Sequence, residues 1–184
     1  MKKALVVIDM QNDFITGALG SPAAQAIVPE VVRKIKSYAH SNSQVLFTRD
    51  THEENYLNTQ EGRNLPVPHC IRSTPGWQIA EEIIQAVEQT GDLNTCPLFD
   101  KGAFGSLELA QHLKDTGPYE EIELAGLVSS ICVISNALVI KAHLPEVKLT
   151  VDAACTAGVT EEDYKASLCV MKMCHVQITN EETP

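Results

Sequence analysis

Four places along this chain could do chemistry, and each follows an apolar run. Asp9 closes Val6-Val7-Ile8, Asp50 closes Phe47-Thr48-Arg49, and Asp100-Lys101 closes a third run. Cys132 follows the turn Gly126-Leu127-Val128-Ser129-Ser130 at the start of an apolar helical stretch. A cysteine thiol needs a base to become a nucleophile, and a carboxylate at the end of an apolar strand suits that role because desolvation raises its pKa. Lys101 adds a cation that could hold Asp9 and developing negative charge in place. In the first turn of a helix, free backbone N–H groups and the helix dipole would favour a thiolate at Cys132 and could hold an oxyanion. Taken singly, Cys132 reads equally as a buried core thiol, Asp9 as a loop cap and Lys101 as a surface charge.

A second constellation lies in Asp50-Thr51-His52, Glu61 and His69. The Asp-x-His pair puts the side chains of i and i+2 on one side of an extended chain, where they can grip one ion. Mixed nitrogen and oxygen donors suit Zn²⁺ first, with Mn²⁺ or Fe²⁺ as alternatives. The plain alternative is a polar loop with ordinary surface histidines and acids.

The elements that must position these residues alternate. Strands are expected at 4–8, 45–48, 95–99, 121–125, 148–151 and 175–179, and helices at 29–41, 77–89, 107–114, 130–143 and 161–173. Pro29-Glu30 reads as a helix start, and Thr160-Glu161-Glu162-Asp163 as a capping signal. Strands separated by helix-length segments predict an α/β fold, a three-layer sandwich around a roughly six-stranded parallel sheet. In such a sheet ligands bind beyond the carboxyl ends of the strands, where the first four strands each deliver a reactive group. The segment 50–76 breaks the rhythm, being polar and without periodicity, as functional loops are.

The chain has 184 residues, without internal repeats or a composition break, and is expected to form one domain over 1–184 with a metal-bearing loop at about 50–76. Its net charge of −10 argues against nucleic acid and anionic membranes as partners. No secretory signal is read at the start, since the apolar run stops at Asp9. The stretch 122–140 is interrupted by glycine and serines and reads as a buried strand and helix, not a membrane span. Six cysteines at irregular spacing, with no Cys-x-x-Cys, fit reduced thiols in a cytoplasmic protein. The expected partner is a small molecule, and homo-oligomerisation is left open.

Together these motifs resemble the isochorismatase-like cysteine hydrolase superfamily, and within it the nicotinamidase (pyrazinamidase) branch. The segment Val6-Val7-Ile8-Asp9-Met10-Gln11-Asn12-Asp13-Phe14 is similar to the family's first-strand signature. Phe47–His52, Pro68-His69-Cys70, Lys101 and Gly126–Val133 resemble its metal and nucleophile segments. The resemblance implies Cys132 as nucleophile, Asp9 as general base and Lys101 as third member of a triad. It also implies an oxyanion hole of the Val128 and Cys132 backbone N–H groups, and a cis peptide between Leu127 and Val128. The implied metal ligands are Asp50, His52, His69 and Glu61, the last chosen because Asn58 stands where other members carry histidine. Phe14 and Phe104 are the expected pocket aromatics, since Pro66 replaces an aromatic often found before the last metal histidine. The segment after Lys101 is short. The implied reaction is hydrolysis of nicotinamide to nicotinate and ammonia. The alternatives are another small amide of ureidoacrylate, maleamate or carbamoyl-amine type, and more remotely a non-enzymatic redox or zinc-binding protein.

Overall fold

Strands buried on both faces should read as nearly continuous apolar runs, and the two central strands here, at 3–8 and 121–127, do. The structure is a computed structural model describing residues 2–39, 43–91 and 95–181. The strands are β1 (Lys3–Ile8), β2 (Gln44–Asp50), β3 (Leu98–Lys101), β4 (Glu121–Leu127), β5 (Lys148–Ala157) and β6 (Gln177–Thr179). They pair in the order β3-β2-β1-β4-β5-β6, all parallel. The order reverses between β1 and β4, so the ligand crevice expected of a doubly wound sheet falls beyond the ends of those two strands.

Helices cover both faces. On one side α1 (Asn12–Ile15), α2 (Pro22–Ala39) and α4 (Glu81–Glu88) bury Phe14, Ile27, Val31, Ile35 and Ile83 against Leu5, Val7 and Phe47. On the other, α5 (Leu107–Thr116), α6 (Ile134–His143) and α7 (Glu161–Met173) pack Leu109, Ile140 and Leu168 against Val6, Ile8 and Leu124. A five-residue helix, α3 (Gln60–Asn64), lies inside the long loop. The expected three-layer α/β architecture is therefore what the chain adopts. Among the described residues no helix is long and apolar enough to cross a membrane, and all six cysteines are free thiols.

Two boundaries differ from expectation for physical reasons. The helix expected from Pro29 begins at Pro22, where Ser21 Oγ accepts from Ala24 N at 3.0 Å. Pro29 sits inside that helix, and the residues at 40 and 41 lie outside the described ones. Apolar spacing from Ala24 through Tyr38 outweighs the missing N–H of one proline. Strand β3 runs two residues further than expected, to Lys101, because Arg49↔Asp100 and Asp50↔Lys101 extend the ladder. The capping box before α7 forms with an aspartate: Asp163 Oδ2 accepts from Thr160 N at 2.7 Å, and Thr160 Oγ1 from Asp163 N at 3.1 Å.

One close approach shapes the end of β4. Gly126 has φ +120, and a Cβ there would stand 2.0 Å from Ile8 O. The missing side chain lets β4 press against β1 where the register with β5 shifts. The turn that follows is thereby delivered directly over the end of β1.

Charges are also buried beneath α2. Lys34 Nζ pairs with Glu123 Oε1 at 2.8 Å and with Asp152, and Tyr38 Oη donates to Glu123 Oε2 at 2.6 Å. Burial opposes ionisation of Asp152, but the bonds from Lys34 outweigh it and hold this carboxyl below its ordinary value. A depressed acid stabilises the fold above its unfolded pKa, and that contribution fades as pH falls through the folded one. Lys34→Met leaves two buried carboxylates without their cation and is expected to cost about 3 kcal/mol at pH 7. Urea unfolding at pH 7 and pH 4 checks this. Without Lys34, burial acts unopposed on the Asp152 carboxyl and raises it, so the variant takes up the proton by pH 4 and the gap to the parent should narrow there; an equal gap at both would rule the account out.

Candidate active site

The three groups that have to meet do so at the sheet's carboxyl rim. Lys101 Nζ lies 2.7 Å from Asp9 Oδ2 and 3.4 Å from Cys132 Sγ. The same ammonium is 3.2 Å from Asp50 Oδ1. Asp9 is fully buried and Cys132 is 5% exposed. Asp9 receives Thr48 Oγ1 on its second oxygen at 2.6 Å, so both carboxylate oxygens have partners. Its backbone is left-handed, with φ 46, which a non-glycine residue adopts at some cost and which turns the chain sharply off the sheet.

Burial raises the Asp9 pKa, against the lowering effect of Lys101, and neighbouring Asp50 adds to the rise. The Cys132 thiol is also pushed up, first by burial and then by Asp9, with Lys101 working the other way. Cys132 lies in a wide π-type turn, Ser129–Val133, that precedes α6, and desolvation beside a carboxylate keeps the proton on sulfur at rest. The Leu127–Val128 peptide is cis.

The second constellation also converges. Asp50, His52, Glu61 and His69 offer ligand atoms that all lie within 4.8 Å of one another. Asp50 Oδ2 is 3.0 Å from His52 Nε2 and 3.5 Å from His69 Nε2, and Glu61 Oε1 is 3.5 and 3.8 Å from the same nitrogens. His69 Nδ1 is 2.8 Å from Val67 O, so Nδ1 carries a proton and Nε2 is the nitrogen turned to Asp50 and Glu61. His52 Nε2 is buried, and its 3.0 Å approach to Asp50 Oδ2 lacks hydrogen-bond geometry. Two imidazole nitrogens and two carboxylates facing a common point form a donor set suited to a divalent cation. Burial favours protonated Asp50, but His52, His69 and Lys101 outweigh it and hold its carboxyl below the ordinary range.

Several residues that hold the site had no role in the sequence reading. Gln11 is fully buried; its Nε2 donates to Asp50 O and Trp77 O, both at 2.9 Å, and its Oε1 accepts from Asp50 N at 2.7 Å. Asp13 Oδ2 accepts from Cys70 N at 2.7 Å, tying the segment of His69 to the end of β1. Asn136, also fully buried, donates to Cys132 O at 2.8 Å and Phe104 O at 3.1 Å, and accepts from Ser106 N at 3.0 Å. It joins the nucleophile turn to the short segment after Lys101.

On the opposite face of the sheet, Arg49 Nε donates to Asp100 Oδ1 at 2.8 Å while its guanidinium lies 3.4 Å over the Trp77 ring. This pair fixes β3 beside β2 one residue before Asp50 and Lys101. Of the two expected aromatics, Phe14 is buried with its ring 5.6 Å from that of His69, whereas Phe104 is 45% exposed.

The isochorismatase domain family matches residues 3–182. The chain is 26% identical over 175 residues to an uncharacterised isochorismatase family protein, PncA, of Bacillus subtilis, across 91% of this chain and 93% of that protein. It is 25% identical over 195 residues to the nicotinamidase/pyrazinamidase of Mycobacterium tuberculosis, across 96% and 97% of the two chains. A solved structure of Pyrococcus horikoshii pyrazinamidase in complex with zinc aligns with TM-score 0.81 and 28% identity, covering 97% of this chain and 99% of that one.

The role of Gln11 gives a direct check. Gln11→Glu keeps the shape but turns the donor into an acceptor facing two carbonyls beside Asp50. We expect a loss of about 3 kcal/mol at pH 7, partly recovered as pH falls and the new carboxyl takes up a proton. An unchanged urea midpoint would show that the amide does not hold the strand end.

Proposed function

Because the chain belongs to the isochorismatase domain family, we propose that it is an enzyme that hydrolyses the C–N bond of a small amide through a Cys132 thioester, with nicotinamide the first candidate substrate. The observation that carries this reading is the single buried ammonium of Lys101 shared by Asp9, Asp50 and Cys132. Likeness to a nicotinamidase/pyrazinamidase and to a zinc-bound pyrazinamidase over nearly the whole chain supports the substrate class. Near-complete burial of Cys132 also suits a small molecule better than a polymer. The free thiols suit the reducing cytoplasm.

Asp9 acts as general base and takes the thiol proton as Sγ adds to the carboxamide carbon. Its raised pKa suits it to this exchange, because a strongly acidic carboxyl would not hold a proton between steps. Lys101 stays charged: burial opposes its ammonium, but Asp9, Cys132 and Asp50 raise its pKa well above the ordinary value. It therefore steadies the base and the sulfur without giving up its own proton. The oxyanion accepts from the backbone N–H groups of Val128 and Cys132. Asp9 next hands its proton to the departing ammonia, leaving an acyl group on sulfur. A water molecule, deprotonated by Asp9, attacks the thioester and releases the carboxylic acid, and the proton returns to Cys132.

Asp50, His52, Glu61 and His69 would hold a divalent cation, zinc first. When bound, it supplies Lewis acidity that orients a pyridine nitrogen and draws electrons from the ring. Phe14, against His69, is positioned to flank such a ring. Pro66 in place of an aromatic, and the short segment after Lys101, are why other small amides belong in the same assay.

Ammonia release from nicotinamide, with ureidoacrylate, maleamate and a carbamoylated amine in parallel, tests the reading. We expect nicotinamide turnover that falls roughly a thousandfold or more in Cys132→Ala and in Asp9→Asn. A chelator should suppress turnover, and added Zn²⁺ or Mn²⁺ should restore it. Near-parental activity of Cys132→Ala would end the covalent scheme.

A further inference from the structure

Of the four metal-facing side chains only Asp50 stands on a strand. His52 is fixed by a bridge to the returning chain, with His52 N donating to Cys70 O at 3.0 Å and Arg72 N donating to His52 O at 2.8 Å. His69 is fixed through Val67 O and, by way of Cys70 N, through Asp13. Glu61 sits on the five-residue α3, a helix too short to be stable by itself. One residue touches all three of these arms.

We infer that Tyr56 is the positioning residue of the metal centre, with Gly62 as the contact that makes its hold on Glu61 specific. The inference rests on the metal-bearing reading above and goes beyond it by naming residues that bind no metal. Tyr56 is 1% exposed, and its ring centroid lies 4.7 Å from that of His52 and 5.1 Å from that of His69. The ring thus backs both imidazoles and restricts their rotation.

The rest of the residue grips α3 at both ends. Tyr56 Oη donates to Leu65 O at 2.9 Å, and Leu65 N donates to Glu61 O at 2.8 Å. At the other end Tyr56 O accepts from Thr59 Oγ1 at 2.7 Å, and Thr59 Oγ1 accepts from Gly62 N at 3.0 Å, capping the helix. The middle of α3 lies directly on this backbone. A Cβ at residue 62 would stand 2.1 Å from Tyr56 O and 2.8 Å from Leu57 Cα, so any side chain there must push α3 outward and carry Glu61 with it. Neither atom is the end of a flexible side chain that could yield.

Cobalt and zinc binding to the full chain tests this apart from catalysis. Apoprotein would be titrated with Co²⁺, whose visible spectrum reports the number and kind of ligands, and with Zn²⁺ against a competing chelator. Four variants are compared: Glu61→Gln, Gly62→Ala, Tyr56→Phe and Tyr56→Leu. Gly62→Ala keeps every ligand, yet its Co²⁺ spectrum should match that of Glu61→Gln and not that of the parent. Its Zn²⁺ affinity should fall roughly tenfold or more. Tyr56→Phe loses only the bond to Leu65 and should weaken Zn²⁺ by about threefold to tenfold, with Tyr56→Leu about tenfold to a hundredfold weaker.

A residue with a merely structural role would lower the melting temperature and leave the spectrum of the folded protein unchanged. Parental spectra and affinities in folded Gly62→Ala and Tyr56→Leu would therefore overturn the inference. Should Gly62→Ala fail to fold, Tyr56→Phe decides alone, and parental affinity there overturns it. A parental chain that takes up no Co²⁺ or Zn²⁺ would overturn the metal centre itself, and this inference with it.

Discussion

A buried ammonium must be balanced by buried negative charge, and this site is built around that requirement. Lys101 is almost wholly enclosed and touches Asp9, Asp50 and Cys132 at once. Removing an ion from water costs several kcal/mol even after relaxation, so such a group persists only where its partners are held in place. Strand ends hold them here. Asp9 follows directly on β1, Asp50 ends the paired strand β2, and Lys101 closes the next strand in register with Asp50. The balance then runs the other way. Asp9, Asp50 and Glu61 bring three negative charges against one ammonium, and with neutral imidazoles the group keeps an excess that a divalent cation would cancel. The same excess explains why Asp50 faces two histidines with its second oxygen.

The end of β1 does more than supply a base. Within five residues it places Asp9 against Lys101, Gln11 against the backbone of Asp50, and Asp13 against the backbone of Cys70 beside His69. The proposed nucleophile reaches the same point from β4, because Gly126 allows that strand to close on Ile8. Two segments distant in sequence, the metal-facing loop and the nucleophile turn, are thus referred to one short piece of chain. The sheet order, reversing at β1 and β4, makes that piece the natural meeting place.

The rim was legible in the sequence because β1, β2 and β3 each change from apolar to charged at the carboxyl end. Asp9, Asp50 and Lys101 stand at those changes and needed only the parallel order to bring them together. The supporting residues were not legible for a different reason. Gln11, Asp13 and Asn136 bond chiefly to backbone atoms of distant residues, and a backbone N–H or C=O leaves no signature in residue type. Tyr56 stands in a polar loop with no periodicity to mark it, although its neighbours are the two imidazoles. Burial and the Asp9 carboxylate push the Cys132 thiol up, and neither its depth nor that neighbour could be read from the residue type alone.

The consequence is a site whose two halves are not independent. Asp50 turns one oxygen to Lys101 and the other to the imidazoles, so it belongs to the charge balance of the proposed nucleophile and to the candidate ligand set together. A carboxylate is rigid and planar: rotating it to improve one contact worsens the other. Displacing the loop that carries His52 and His69 would therefore pull Asp50 away from Lys101 and alter the field felt by Asp9 and Cys132. The Arg49–Asp100 pair, stacked on Trp77 across the sheet, resists that displacement from below. Gln11 resists it from the side. Rigid support is concentrated on the one residue that both halves share, as it must be if a thiol that keeps its proton at rest is to lose it only when a carbonyl carbon is within reach.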